Sequence, residues 1–383
     1  VWDGHNDVPE QLRERRKDVI ADFDFRDTTG TADPATDMAA MHTDLARLKA
    51  GHVGAQFWSV YVSASLNDQQ AVQATLEQID VTRRLIARYP QQLQYATTAA
   101  DVEKAMKAGK VASLIGMEGG HSVAGSLSVL RQMYALGARY MTLTHFKNTP
   151  WADAATDAPA HGGLTDHGRA IVREMQRIGM LVDLSHVSAE TMRDALEVAK
   201  APVIFSHSGA QAINTHPRNV PDDVLALLKA NGGILMVDFA PDYVSEEVRA
   251  WSAAKKGEAA RLEALHIGNP EAAKKALTDW VAAHPLPRAT LAQAADHIDH
   301  AVKVAGVDHV GLGGDFDGVG SLPVGLEDVS KYPALFTELA RRGYSQRDLE
   351  KIASRNMLRV MKAAEAYAAA HRIDPPIEAP TTF

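Results

Sequence analysis

Four of the chain's 16 histidines, His5, His145, His186 and His207, stand at or just past the end of an apolar, strand-like run. Imidazole binds transition metals and carries protons near neutral pH. Acidic residues take equivalent places: Asp7 beside His5, Glu118 after the run 111–117, and Asp315 after the run 309–314. There is no cysteine, so a metal could be held only by His, Asp and Glu.

The spacing of these residues differs in what it specifies. In His5-Asn6-Asp7 the first and third residues of an extended segment point the same way, so imidazole and carboxylate can grip one ion. Alone the pattern is weak, because His-x-Asp arises by chance and usually marks a turn. Two successive apolar runs that both end in Ser-His, at Ser185-His186 and Ser206-His207, say more, since adjacent strands would bring two imidazoles together. Glu118 is followed by Gly119-Gly120, which lets backbone approach closely; it reads either as a rim carboxylate in a salt bridge or as a ligand bridging two ions. Asp315, in Gly313-Gly314-Asp315-Phe316-Asp317-Gly318, stands where an acid/base carboxylate would be placed. Asp317 beside the turn at Gly318 reads as a loop stabiliser. His297 and His300, in a polar helical stripe with Asp296 and Asp299, read as solvated.

These groups must be positioned by a scaffold whose strands end on one rim. Eight strand-like runs occur, at 1–3, 54–62, 111–117, 140–144, 180–185, 202–206, 233–239 and 309–314. Amphipathic helical patterns separate them, several closed by glycine, as at 126–137, 165–179 and 221–232. Another helix is expected from an N-cap at Asp37 through Met38, Met41, Leu45 and Leu48 to Gly51. Alternating strands and helices predict a parallel sheet, and eight units predict an α/β protein of the (β/α)8 TIM-barrel type. Barrel active sites are assembled at the C-terminal ends of the strands, where these His, Asp and Glu residues fall. The chain therefore reads as one barrel domain, 1–383, with a metal site on that rim, binuclear where Glu118 is a bridging ligand. Two segments interrupt the rhythm: a loop at 147–161, and a charged helical insertion at about 245–295 between strands seven and eight.

Composition narrows the function. With 46% hydrophobic and 23% charged residues, the chain can bury a sizeable core and is not disordered. A net charge of −8 and no dense basic stripe argue against a nucleic-acid partner. No apolar run reaches the roughly 20 residues needed to span a bilayer, so no transmembrane segment is expected. The chain begins at Val1, two residues before Asp3-Gly4-His5. Had a signal peptide been removed, the protein would be periplasmic or exported, and otherwise cytoplasmic.

The same residues resemble the membrane (renal) dipeptidase family, peptidase family M19, from Trp2 to about Lys362. The resemblance rests on Asp3-Gly4-His5-Asn6-Asp7, the Gly-x-Glu-Gly-Gly-His run around Glu118, Leu143-Thr144-His145 with Asn148-Thr149-Pro150-Trp151, and Asp183-Leu184-Ser185-His186-Val187-Ser188. Phe205-Ser206-His207-Ser208, Arg218-Asn219-Val220-Pro221-Asp222-Asp223 and the glycine-rich run around Asp315 complete it. It implies a zinc-dependent dipeptidase with two Zn²⁺ per chain, in which a metal-bridging hydroxide attacks the peptide bond of a small dipeptide. His5 and Asp7 would hold one ion, His186 and His207 the other, and Glu118 would bridge both and so share in catalysis. His145 would polarise the scissile carbonyl and bind the oxyanion. Arg218 would bind the substrate's C-terminal carboxylate, and Asp315 would shuttle the proton to the leaving amine. Tolerance of a D-residue at the second position stays open, as does a homodimer.

The chain departs from the mammalian members in lacking cysteines and a lipid-anchor tail, which points to a soluble, bacterial-type enzyme, and in an insertion that looks longer than theirs. Two other readings remain. One is a related two-metal barrel amidohydrolase acting on N-acyl amino acids or lactams. The other is a catalytically silent metal-binding protein on the same fold.

Overall fold

The computed structural model describes residues 1–36 and 38–378. Among the described residues nine strands form, all in parallel register: β1 Trp2–Asn6, β2 Ala55–Ser59, β3 Leu93–Tyr95, β4 Val111–Glu118, β5 Ala138–Thr142, β6 Leu181–Asp183, β7 Ile204–Ser208, β8 Ile234–Val237 and β9 Val310–Leu312. Eight of them close a ring, because β2 pairs with β1 on one side and β4 on the other while β9 returns to β1. This is the expected eight-stranded parallel barrel wrapped by helices.

The ninth strand, β3, has no counterpart among the eight expected runs. It pairs with the first residues of β4, Val111 to Ser113, on the edge that β5 takes over from Ile115 onward. A three-residue strand is too short to show a period-two pattern, which is why Leu93–Tyr95 reads as loop in the sequence.

The strands are buried on both faces, as a parallel sheet requires. Inside the barrel, Trp2, Phe57, Leu114, Tyr140, Leu181, Ile204 and Met236 from successive strands fill the lower half. Met357, Val360 and Met361 of the last helix, Asn356–Ala370, pack against them. The upper half is left to the polar residues at the strand ends.

Glycine and serine fix the connections where expected. The helix Leu127–Leu136 starts on Ser126, whose hydroxyl accepts the Val129 N–H, and ends at Gly137 with φ +118°. Asp166–Ile178 likewise runs from Thr165 to Gly179. The expected helix from residue 38 is much shorter, Leu45–Ala50, because Asp44 takes the cap by accepting the Arg47 N–H. Asp37, the expected cap, lies outside the described residues. Between β8 and β9 the chain forms the helices Glu246–Leu265 and Pro270–Ala283 before Leu291–Ala305. The segment 147–161 has no helix but is tightly held: Asp153 accepts N–H bonds from Ala160, His161, Gly162 and Gly163.

Among the described residues, no helix is long and apolar enough to cross a membrane.

Candidate metal centre

The barrel rim brings the dispersed motifs to one point. Glu118 is the last residue of β4, His207 lies in β7, and Asp7, His145, His186 and Asp315 follow the ends of β1, β5, β6 and β9 within three residues. All are buried. His186 and Asp315 have left-handed backbone, φ +67° and +53°, a conformation non-glycine residues hold only where surrounding structure enforces it.

Glu118 divides the centre in two. Its Oε2 lies 3.2 Å from His5 Nε2, which is itself 3.3 Å from Asp7 Oδ2. Its Oε1 lies 3.0 Å from His186 Nε2 and 3.4 Å from His207 Nε2. Two trios result, His5–Asp7–Glu118 and Glu118–His186–His207, with the ligand atoms of each within 4.8 Å of one another. Asp315 forms a third such group with His5 and His207, within the same limit.

The donors fit metal ions better than one another. His186 Nε2 and His207 Nε2 approach to 2.9 Å while facing the same carboxylate oxygen. His5 Nε2 and Asp7 Oδ1 are buried without a hydrogen-bond partner, an expensive arrangement unless a cation completes it. Burial, reinforced by the Arg218 charge at His186 and by His5 and then Arg218 at His207, pushes both well below the usual histidine pKa, so both are neutral with a lone pair to give. Burial also works against a charged Glu118, but His5, His145 and the other imidazoles outweigh it and hold the carboxyl well below its ordinary range. At His5 burial is likewise overcome, by Tyr140, Asp7 and Glu118, and the pKa rises. That corner thus carries negative charge in search of a cation.

A second layer aims the ligands. Asp183 Oδ1 accepts N–H bonds from Ser185 and Ser206, and its Oδ2 accepts hydroxyl bonds from Thr142 and Ser206, each at 2.6 Å. Ser206 Oγ, its proton committed to Asp183, lies 2.8 Å from His207 Nδ1, so that nitrogen carries the hydrogen and leaves Nε2 free. His5 Nδ1 is 2.8 Å from the buried Tyr140 hydroxyl, a contact that holds the ring in place. The tyrosine ring fits only because residue 116 is glycine: a Cβ there would lie 2.0 Å from Tyr140 Cζ.

A cavity of about 130 Å³ lies over the centre, walled by Asp7, Glu10, Tyr61, Glu118, His145 and Tyr243 among others. His145 Nε2 is 3.5 Å from Glu118 Oε1, and burial lowers its pKa to about 4, leaving a neutral imidazole. Asp315 is raised well above the carboxylate range, first by burial and then by Asp238 and Asp7. Gly318 permits the close approach of two acids: a Cβ there would lie 2.4 Å from both Asp315 Oδ1 and Asp7 Oδ2.

Arg218 has no exposed surface. Its guanidinium donates to Ser208 Oγ (3.0 Å) and the His207 carbonyl (2.9 Å), lies 3.9 Å from Asp238, and is covered by the Tyr243 ring at 5.1 Å. Its Nε has no partner.

The remaining histidines divide differently from expectation. His297 is buried, not solvated: its Nδ1 accepts the Ala210 N–H and its Nε2 meets the Val244 carbonyl. His300 pairs with Asp222 at 2.7 Å. Asp317 does hold a loop, accepting the His42 N–H at 2.7 Å. The reading by residue type passed over Tyr140, Tyr61, Glu10 and Tyr243 as site residues; Tyr61 and Tyr140 lie in the strand-like runs 54–62 and 140–144, whereas Glu10 and Tyr243 lie in no segment that the motifs mark.

The profile of the membrane dipeptidase family, peptidase family M19, matches residues 1–374. Dipeptidase 3 of Macaca fascicularis is 41% identical over 382 residues, covering 98% of this chain and 67% of that protein. Among solved structures, the probable dipeptidase PvdM of Pseudomonas aeruginosa superposes with a TM-score of 0.77 at 24% identity, over 86% of this chain and 90% of that one. A metallo peptidase of Rhodobacter sphaeroides, solved with a phosphinate mimic of the dipeptide L-Ala-D-Ala, superposes with a TM-score of 0.75 at 22% identity, over 95% and 99%.

Proposed function

The chain belongs to the membrane dipeptidase family as a metallopeptidase of that type, and from this premise we propose that it is a two-zinc dipeptidase acting on free dipeptides. The observation that carries the reading is the division of labour at Glu118, one oxygen facing each trio of donors. His5 and Asp7 would hold one ion and His186 and His207 the other, with Glu118 shared between them. When bound, the ions supply Lewis acidity to the scissile carbonyl and make water nucleophilic near neutral pH.

The protein's own groups do the rest. His145, kept neutral by burial, donates a hydrogen bond to the carbonyl oxygen as negative charge develops there. Asp315 takes the proton from the attacking water and passes it to the leaving amine; proximity to His5 and His207 supports this role. Arg218 is the cation for the C-terminal carboxylate. Its unpartnered Nε and its place behind Tyr243 favour a substrate that displaces that ring as it enters.

We further propose tolerance of a D-residue at the second position, supported by the L-Ala-D-Ala mimic bound to the Rhodobacter sphaeroides structure. The test is a library of dipeptides with L and D second residues, alongside N-acyl amino acids and lactams, assayed on protein whose metal content is measured in the same preparation. Hydrolysis of free dipeptides with near two zinc equivalents is expected. Turnover of acyl amino acids or lactams alone would select the amidohydrolase reading, and no turnover at full loading the silent one.

A further inference from the structure

Of the further cavities that adjoin the one over the metal centre, two differ in charge. On one side, a cavity of about 770 Å³ shares Phe146 and Tyr243 with it and carries Arg249, Lys255 and Lys256. On the other, a cavity of about 350 Å³ shares Glu10, Gly318 and Val319 with it and carries Glu14. A dipeptide is a zwitterion, so its carboxylate end belongs toward Arg218 and the basic side, and its N-terminal residue toward Glu10.

Glu10 stands at the junction, on the first turns of the helix Val8–Arg16. Its carboxylate makes no hydrogen bond or ion pair among the described residues, and neither does that of Glu14 one turn on. Arg15, the one Arg or Lys lining the smaller cavity, is committed to Gln11 Oε1 and to the carbonyls of Thr31 and Ala39. Burial first, and then the charges of Asp7, Glu118 and Glu14, push the Glu10 carboxyl well above the usual carboxylate range; bound metals would offset Asp7 and Glu118, and an incoming cation would draw Glu10 into its charged form.

Resting on the dipeptidase reading, we infer that Glu10 is a specificity residue for a cationic side chain, lysine or arginine, on the N-terminal residue of the substrate. Glu10 also walls the cavity over the metal centre, where the substrate's α-ammonium sits, but a charge that continues past Glu10 into the smaller cavity must be carried by the side chain. A side chain of four or more atoms has that reach, and would bring its charge past Glu10 toward Glu14.

The experiment compares kcat/KM for lysyl-alanine and norleucyl-alanine, which share a straight side chain and differ in its charge, on zinc-loaded enzyme. Wild type is expected to favour lysyl-alanine by roughly tenfold, the worth of one charge-assisted contact at a half-open site. Glu10→Gln should bring the ratio close to one, and Glu10→Lys should reverse it. A wild-type ratio near one, or a ratio that survives Glu10→Gln, overturns the inference while leaving the dipeptidase intact. So does an equal loss on both substrates in Glu10→Gln, which would assign Glu10 to the α-ammonium. Failure of the loaded enzyme to cleave either peptide, or alanyl-alanine beside them, overturns both readings.

Discussion

Ser206 Oγ lies 2.8 Å from His207 Nδ1 and 2.6 Å from Asp183 Oδ2, and the second contact determines the direction of the first. A hydroxyl has one proton. Because it goes to the carboxylate, the ring nitrogen must be the donor, and His207 is locked as the tautomer whose Nε2 can bind metal.

Ser206→Ala removes that lock without touching a ligand. Zinc affinity at the His186–His207 side should fall by about 10- to 100-fold, the usual effect of losing an outer-shell partner. Competition with a chelator of known affinity measures it, and unaltered affinity would show that packing alone orients the ring.

Asp315→Asn separates a proton shuttle from a ligand. Asparagine keeps the shape but takes up no proton, so kcat should drop by roughly 10²–10⁴ while the metal stays bound. Metal content and kcat should be read on one preparation. Loss of metal would make Asp315 a ligand, consistent with its proximity to His5 and His207, and near-normal turnover would move the shuttle elsewhere.

Arg218→Met should cost free dipeptides more than their C-terminal amides, by about 1.5–3 kcal/mol in kcat/KM for a lost charge-assisted contact. Equal losses would mean that Arg218 serves the fold, through Ser208 and the His207 carbonyl.

His297 gives the fold a pH dependence away from the metal centre. Burial lowers its pKa to about 4 in the folded chain, against about 6.5 when unfolded. Between those values the unfolded state binds more protons, so stability is full above about pH 6.5 and falls as pH drops toward 4, by up to roughly 3 kcal/mol. His297→Gln should be less stable at neutral pH but lose less on acidification. Urea unfolding at pH 7 and pH 5 on both proteins tests this; parallel losses would exclude His297 as the cause.

Much of this was legible in the sequence because it is local. Apolar runs and glycine stops mark the eight barrel strands and several helices, and the absence of cysteine leaves His, Asp and Glu as the only ligand types. Even the ends of the runs pointed to one rim. What lay beyond reach was whatever depends on residues distant in the chain. His5 and Tyr140 are 135 positions apart, and nothing near either one announces their contact. His297 looks solvated beside Asp296 and Asp299, and becomes buried only when its helix packs over Ala210 and Val244. Glu10 is an ordinary helical acid until the fold leaves it between two cavities without a partner. The residue types that can bind metal were therefore set by composition and motif. Which oxygen of Glu118 meets which imidazole was decided by closure of the barrel, because only the stagger of neighbouring strands fixes such positions to within an ångström.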